Sequence, residues 1–186
     1  MRHMSQNKHI ELEIILQLLR EPSHVRDLSK KIQQPPATIS RKLPYLVKEN
    51  ILDFKTQGKN KSFFLKKNLQ SRSFIYKAEH HKLIKAAKEY PKLSIILDSI
   101  LKNTKEKLIV LFGSYAKFSA KKYSDIDIYI ETANKKTKEE IESINSKIKV
   151  KIGEFNLESN LIKEIIKNHI ILKGVEEFYE RTKFFS

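Results

Sequence analysis

The sequence contains no cysteine, so disulfide bonds and thiolate metal sites are excluded. It also has no apolar run approaching the about 18 residues that a membrane-spanning helix requires. The N-terminus lacks the apolar core of a secretion signal. These absences suit a reducing cytosol, and we expect a cytoplasmic protein with no membrane partner.

Acidic residues are scarce relative to basic ones. The 186 residues include 37 lysines and arginines against 22 aspartates and glutamates, a formal net charge of +15. Such an excess favours polyanionic partners, of which nucleic acid is the first to consider. With 40% hydrophobic and 32% charged residues, the composition predicts one large or two small folded domains.

The most informative stretch is residues 109–131, IVLFGSYAKFSAKKYSDIDIYIE. Its second half alternates like a strand, and side chains two apart on a strand share a face. Asp125 and Asp127 therefore point the same way, with isoleucines on the opposite face. Two adjacent carboxylates repel each other unless a cation lies between them. Because Mg²⁺ takes oxygen ligands and binds phosphates, we expect Mg²⁺ as the cofactor at these aspartates.

The first half of the stretch is an apolar strand that ends at Gly113 and Ser114. Gly113 permits a tight exit from the strand, and Ser114 begins a short helix whose free backbone N–H groups face an anion. Together with Asp125 and Asp127, this turn predicts a cradle for a metal-bound nucleoside triphosphate.

Residues 113–130, GSYAKFSAKKYSDIDIYI, resemble the GS-x(n)-DxD motif of the DNA polymerase beta-type nucleotidyltransferase superfamily. The resemblance implies that Gly113 and Ser114 hold the nucleotide phosphates. It also implies that Asp125 and Asp127 are the catalytic, Mg²⁺-binding acids. The implied fold is a mixed β-sheet flanked by helices, in an α/β (α+β) class.

The third acid of the family is the weak part of the resemblance. Nucleotidyl transfer uses two cations about 3.5–4 Å apart, and a third carboxylate on a later strand normally helps to hold them. The corresponding segment here, IKVKIGEF, presents Lys149 and Lys151 instead. Glu154 is the remaining candidate for a third metal ligand, if a bulge at Gly153 resets the strand. We therefore expect weak transfer or none.

The N-terminal third carries two amphipathic helices, over residues 9–20 and 24–33, and a third in ATISRKLPYLVKENILDF. Two strand-like segments around a polar tip at residues 57–61 follow. This order resembles the winged helix-turn-helix domains of prokaryotic transcription regulators, in which a recognition helix enters the major groove. Pro44 lies inside that helix, so the helix is kinked there or begins later. The expected DNA-binding residues are Thr38, Ser40, Arg41, Lys42, Tyr45, Lys59 and Lys61.

The expected organisation is a winged helix-turn-helix domain at 1–70, a linker helix at 71–90 and a nucleotidyltransferase-like domain at 91–186. Polar residues 68–74 mark the hinge before the linker helix. Such a helix could pair two copies of the chain, and we expect a homodimer.

Two functions remain open from the sequence. One is a transcriptional regulator that binds double-stranded DNA and carries a nucleotide-binding domain of weak or no activity. The other is an active minimal nucleotidyltransferase that modifies a protein or a small molecule, for example within a toxin–antitoxin pair.

Overall fold

A computed structural model describes residues 9–58 and 60–186. The chain forms two compact units. The first comprises the described residues up to Ala78 together with Phe185–Ser186, and the second comprises Glu79–Phe184. In the described part of the chain, no helix has both the length and the apolar character needed to cross a membrane.

The first unit contains three helices followed by a β-hairpin, in the order that the sequence predicts. These elements are α1 (Ile10–Leu18), α2 (Val25–Ile32), α3 (Pro36–Lys48), β1 (Leu52–Gln57) and β2 (Asn60–Leu65). The predicted apolar stripe of α1 is buried at Ile10, Ile14, Ile15 and Leu18. Burial of this stripe against the other helices supplies the core of the unit.

Helix α3 continues through Pro44 as far as Lys48, so the alternative of a later start is wrong. The helix begins at Pro36, where a missing N–H costs nothing because first-turn N–H groups have no intrahelical acceptor. Pro44 lacks the N–H that would bond to the carbonyl of Ser40. Ser40 and Pro44 are both exposed, so water can satisfy that carbonyl.

The hairpin has a shorter tip than the sequence predicts. Its strands pair in register from Leu52 with Leu65 as far as Gln57 with Asn60. Lys61 therefore belongs to β2, where it faces Thr56, rather than to the tip. Lys59, the other lysine expected there, lies outside the described residues.

The second unit is built on a four-stranded sheet with the order β5-β4-β3-β6. The strands are β3 (Ile109–Phe112), β4 (Ile126–Glu131), β5 (Ile148–Gly153) and β6 (Ile170–Lys173). Strands β4 and β5 are parallel, whereas β3 is antiparallel to both β4 and β6. The predicted mixed sheet of an α+β protein is therefore confirmed.

Six helices accompany this sheet in the described chain. They are α4 (Leu69–Glu89), which crosses the division between the units, α5 (Pro91–Lys102), α6 (Gly113–Ala116), α7 (Lys135–Ile144), α8 (Asn160–Lys167) and α9 (Val175–Arg181). The isoleucines of β4 pack with α5 and α7 in one apolar core. The opposite face of the sheet carries Asp127 and Tyr129, and Tyr129 contacts Phe155.

One helix boundary differs from the sequence prediction, and a further helix forms near the C-terminus. The expected hinge at 68–74 forms the start of α4, because Asn68 Oδ1 accepts a hydrogen bond from Ser71 N at 2.9 Å and caps the helix. The aromatic residues near the C-terminus form α9, in which Phe178 and Tyr179 are buried. Packing of these rings, which local sequence pattern does not reveal, stabilises that helix.

A buried ionic cluster joins α4, α9 and the loop before β6. Glu79 is 1% exposed, and its carboxylate accepts a hydrogen bond from Tyr179 Oη at 2.9 Å. Lys82 Nζ lies 2.8 Å from Glu79 Oε2, and His169 Nε2 lies 3.2 Å from Oε1. Burial alone would raise the pKa of Glu79, but the charges of Lys82 and His169 outweigh it and hold that pKa far below its usual range.

Candidate functional site

The Gly-Ser turn and Asp127 are in direct contact. Phe112, the last residue of β3, pairs with Asp127 of β4, so the turn that follows β3 lies beside the aspartate. Gly113 has a φ of +67°, a conformation that favours glycine. A Cβ atom at Gly113 would overlap Asp127 Oδ2 and would lie 3.0 Å from its Cγ. Position 113 therefore requires glycine for its backbone conformation and for the space that the carboxylate occupies.

Ser114 lies in the first turn of α6, as the sequence predicts. It is half-buried, and its carbonyl accepts a hydrogen bond from Ser119 N at 3.0 Å, which closes the loop after α6. First-turn N–H groups of a helix have no acceptor within the helix. The structure therefore places the first turn of α6, at Gly113 and Ser114, against the Asp127 carboxylate.

The two aspartates are close enough to interact electrostatically. Asp125 is exposed just before β4, and Asp127 is half-buried within it. Burial raises the pKa of Asp127, and the negative charges of Asp125 and Glu164 raise it further. Lys151 and Lys117 offset this rise only in part. A hard divalent cation would relieve the repulsion, so the donor chemistry fits Mg²⁺.

Lysines occupy the strand next to Asp127, as the sequence predicts. Lys149 pairs with Asp127 in the parallel register of β4 and β5, and Lys151 pairs with Tyr129. Residues paired in this way point to the same side of the sheet. Both lysines are exposed on the face of the sheet that carries the aspartate.

Glu154 does not reach this site, so its assignment as a third metal ligand is wrong. It follows Gly153, whose partner on β4 is Glu131 at the far end of that strand. Glu154 lies five residues beyond Lys149, which corresponds to about 16 Å along the strand. A bulge at Gly153 would turn the side chain without shortening that distance.

Two charged residues near Asp127 were not identified from the sequence. Lys117 Nζ and Glu164 Oε1 form an ion pair at 3.0 Å, and both charges act on Asp127. Lys117 follows Ser114 by one helical turn, so its proximity could have been inferred. Glu164 comes from α8, far along the chain, and only the fold brings it there. Within residues 9–58 and 60–186, no three histidine or acidic side chains converge as a metal site.

The expected DNA-binding residues fall into separate groups. Arg41 and Tyr45 are exposed on α3, one helical turn apart, and Thr38 on the same face is half-buried. Lys42 does not project freely, because its Nζ lies 2.7 Å from Glu11 of α1. This ion pair ties α3 to α1.

Ser40 and Lys61 line a groove of about 980 Å³ between α2, α3 and the hairpin. Lys61 Nζ lies 3.9 Å from the centre of the Phe54 ring, which also lines the groove. Apolar side chains such as Leu43 and Val47 also line it, and its other charged residues are Arg26, Lys48 and Asp27. The first unit thus has a basic groove beside α3 and a separate exposed face at Arg41 and Tyr45.

The comparisons with known proteins bear on the second unit. Residues 95–177 match the family model described as "Polymerase beta, Nucleotidyltransferase". The match runs from α5 to α9 and includes the Gly-Ser turn, both aspartates and β5. It supports the nucleotidyltransferase part of the resemblance seen in the sequence. The searches of curated proteins and of solved structures found no significant match.

Proposed function

We propose that the second unit binds a Mg²⁺-bound nucleoside triphosphate and transfers its nucleoside monophosphate, slowly, to an acceptor hydroxyl. The contact between Gly113 and Asp127 carries this proposal, because it joins the two halves of the phosphate and cation motif. Gly113 and Ser114 would hold the phosphates through backbone N–H groups. Asp125 and Asp127 would hold Mg²⁺, which when bound neutralises charge on the phosphates.

In the proposed reaction, the acceptor oxygen attacks the α-phosphorus and forms a new P–O bond. The bond from the α-phosphorus to the bridging oxygen breaks, and pyrophosphate leaves with that electron pair. The hydroxyl proton passes to water or to a carboxylate. Lys149 and Lys151 lie where the family carries an acid, so they favour phosphate binding over a second cation. We expect slow turnover for that reason.

Substitution of Gly113 by alanine tests this assignment. The Cβ atom would displace the Asp127 carboxylate, so we expect the Kd for Mg²⁺-ATP to increase at least about tenfold, or about 1.4 kcal/mol. The matched control is Gly58→Ala. Gly58 also has a positive φ, +59°, but a Cβ atom at this position would meet no other atom within 4 Å. Equilibrium binding of labelled ATP, with Mg²⁺ or with chelator, measures both variants.

The Gly58→Ala control separates backbone strain from loss of the site. Both variants place alanine in a left-handed conformation, so both are expected to lose some thermal stability. ATP binding should weaken only in Gly113→Ala. Equal ATP affinity in wild type and in folded Gly113→Ala would contradict the assignment, as would binding that does not depend on Mg²⁺.

We further propose that the first unit is a winged helix-turn-helix domain that binds double-stranded DNA, in a homodimeric transcriptional regulator. The order of α1 to α3 and the hairpin supports this proposal, as does the exposed face at Arg41 and Tyr45. The net charge of +15 adds a general attraction to the DNA backbone. Lys42 contributes less to DNA binding than the sequence suggests, because the Glu11 carboxylate neutralises its charge.

A mobility-shift titration with the DNA upstream of the gene tests the DNA-binding proposal. We expect affinity to fall steeply with salt, and Arg41→Ala to reduce the slope of log K against log salt by about 0.9. Arg20→Ala is the control, since Arg20 is an exposed arginine of the same unit outside α3 and the hairpin. An equal effect of both substitutions would show that α3 does not form the interface.

A further inference from the structure

An exposed tyrosine flanked by lysines lies next to the aspartates. Tyr123 precedes Asp125 by two residues, and 81% of its surface is exposed. The Nζ atoms of Lys122 and Lys147 lie 5.6 Å and 5.8 Å from the centre of its ring. Lys147 Nζ also donates a hydrogen bond to the Lys122 carbonyl at 2.7 Å. The loop thus presents an accessible aromatic ring with two cations close to it.

This loop is tied to the strands that carry the nucleotide site. The Lys147 carbonyl accepts a hydrogen bond at 2.8 Å from the backbone N–H of Ile126, the first residue of β4. Two residues further along, Lys149 lies beside Asp127 in the parallel register. Basic side chains therefore run from Tyr123 along the edge strand β5 to the Asp127 carboxylate.

The arrangement has the chemistry of a site for single-stranded nucleic acid. Proteins that bind single strands combine aromatic rings, on which bases stack, with cations that follow the phosphates. The internal bases of a duplex are already stacked on both faces, so Tyr123 could not stack on them. An acidic polypeptide would be attracted to the lysines but would make no particular use of the exposed ring.

We propose that Tyr123, Lys122, Lys147 and Lys149 bind the end of a single-stranded nucleic acid that serves as the acceptor. A terminal base stacks on Tyr123, and the adjacent phosphates contact the lysines. The terminal hydroxyl is thereby directed to the nucleotide at the aspartates. This inference rests on the proposed function, because an acceptor site requires a nucleotide donor beside it.

Binding of fluorescein-labelled 12-nucleotide RNA and DNA single strands to the full chain, followed by anisotropy, tests the proposal. Tyr123→Ala should weaken binding by about 5- to 150-fold, because one base loses its stacking partner. Tyr123→Phe keeps the ring and should bind like wild type. The double variant Lys122→Ala/Lys147→Ala should reduce the salt slope by about 1.4, which corresponds to two lost phosphate contacts on a single strand.

The matched control is Lys105→Ala/Lys107→Ala, which removes two exposed lysines before β3, at the opposite end of that strand from Gly113. Equal losses in the control and in Lys122→Ala/Lys147→Ala would overturn the proposal. An unchanged single-strand affinity in Tyr123→Ala would also overturn it. The same conclusion holds if, in addition, polyglutamate competes fully for the lysines. Loss of single-strand binding in Arg41→Ala/Tyr45→Ala alone would assign it to the first unit and would also overturn the proposal.

Binding of Mg²⁺-ATP, measured without oligonucleotide in the same variants, separates this inference from the proposed function. We expect ATP affinity to be unchanged by Tyr123→Ala, because the ring is not part of the nucleotide site. If wild type binds Mg²⁺-ATP but the single-strand affinity is the same in wild type and in Tyr123→Ala, only the acceptor inference fails. If wild type does not bind Mg²⁺-ATP, the proposed function itself fails.

Discussion

Replacement of Asp127 by asparagine is expected to abolish nucleotidyl transfer and, at the same time, to raise the thermal stability of the protein. Asparagine preserves the shape of the side chain beside Gly113 but removes its charge. The proposed site then loses one of its two anionic ligands, and we expect transfer to fall at least about 100-fold. Transfer of label from α-labelled ATP, in the presence of Mg²⁺, measures this loss.

The gain in stability follows from the environment of the carboxylate. Burial, together with the charges of Asp125 and Glu164, raises the pKa of Asp127 in the folded protein. The unfolded chain, with its lower pKa, therefore favours the ionised form more than the folded chain does. Above both pKa values the ionised group destabilises the fold, so neutral asparagine should increase Tm at pH 7. The same substitution should have little effect near pH 3, where the aspartate is protonated.

The control for Asp127→Asn is Asp98→Asn, which removes a single negative charge from an exposed position on α5. We expect this variant to retain wild-type transfer and wild-type Tm. If Asp127→Asn lowers Tm, or if both variants transfer label equally well, the electrostatic account of Asp127 is wrong.

Replacement of Glu79 by glutamine is expected to be strongly destabilising. The buried carboxylate compensates the charge of Lys82, whose side chain is only 17% exposed, and it accepts contacts from His169 and Tyr179. Removing one partner of a buried ion pair costs about 3–5 kcal/mol. For a protein of this size, that loss corresponds to a decrease in Tm on the order of 10 °C.

The pH dependence of stability distinguishes this ionic role from a simple packing defect. The pKa of Glu79 is lower in the folded protein than its ordinary value of 4.5. Ionised Glu79 therefore contributes stability that is fully present above that value and is lost as the pH falls through lower values. Thermal melts from pH 7 to pH 3 should show the difference between wild type and Glu79→Gln narrowing below about pH 4.5.

Glu158→Gln is the matched control for Glu79→Gln. Glu158 forms an exposed ion pair with Lys163 at 3.3 Å in the same unit. Exposed ion pairs contribute about 0–1 kcal/mol, so this variant should melt close to wild type. A Tm difference between wild type and Glu79→Gln that stays constant across the pH range would indicate packing rather than charge.

Local features of the fold were predictable because they depend on neighbours in sequence. The alternation of Asp125 and Asp127 with isoleucines predicted β4, and the Gly113-Ser114 turn predicted the short helix α6. The third helix, predicted in the segment that begins at Ala37, begins one residue earlier, at Pro36. Each of these signals is set by backbone geometry or by side-chain periodicity.

Features that depend on the fold as a whole were not predictable in this way. Glu164 lies near Asp127 only because α8 packs at that end of the sheet, and no local pattern links the two residues. The exclusion of Glu154 required the register of β4 against β5, which a sequence does not specify. The pairing of Lys42 with Glu11 likewise depends on the packing of α3 against α1.

The most direct test of the nucleotide site is a crystal structure of the full chain with Mn²⁺ and a non-hydrolysable ATP analogue. Mn²⁺ replaces Mg²⁺ and can be located by its anomalous scattering. We predict an anomalous peak about 2.0–2.2 Å from carboxylate oxygens of Asp125 and Asp127, with the phosphates over Gly113 and Ser114. An ordered analogue whose metal and phosphates lie away from both aspartates would contradict the proposed site.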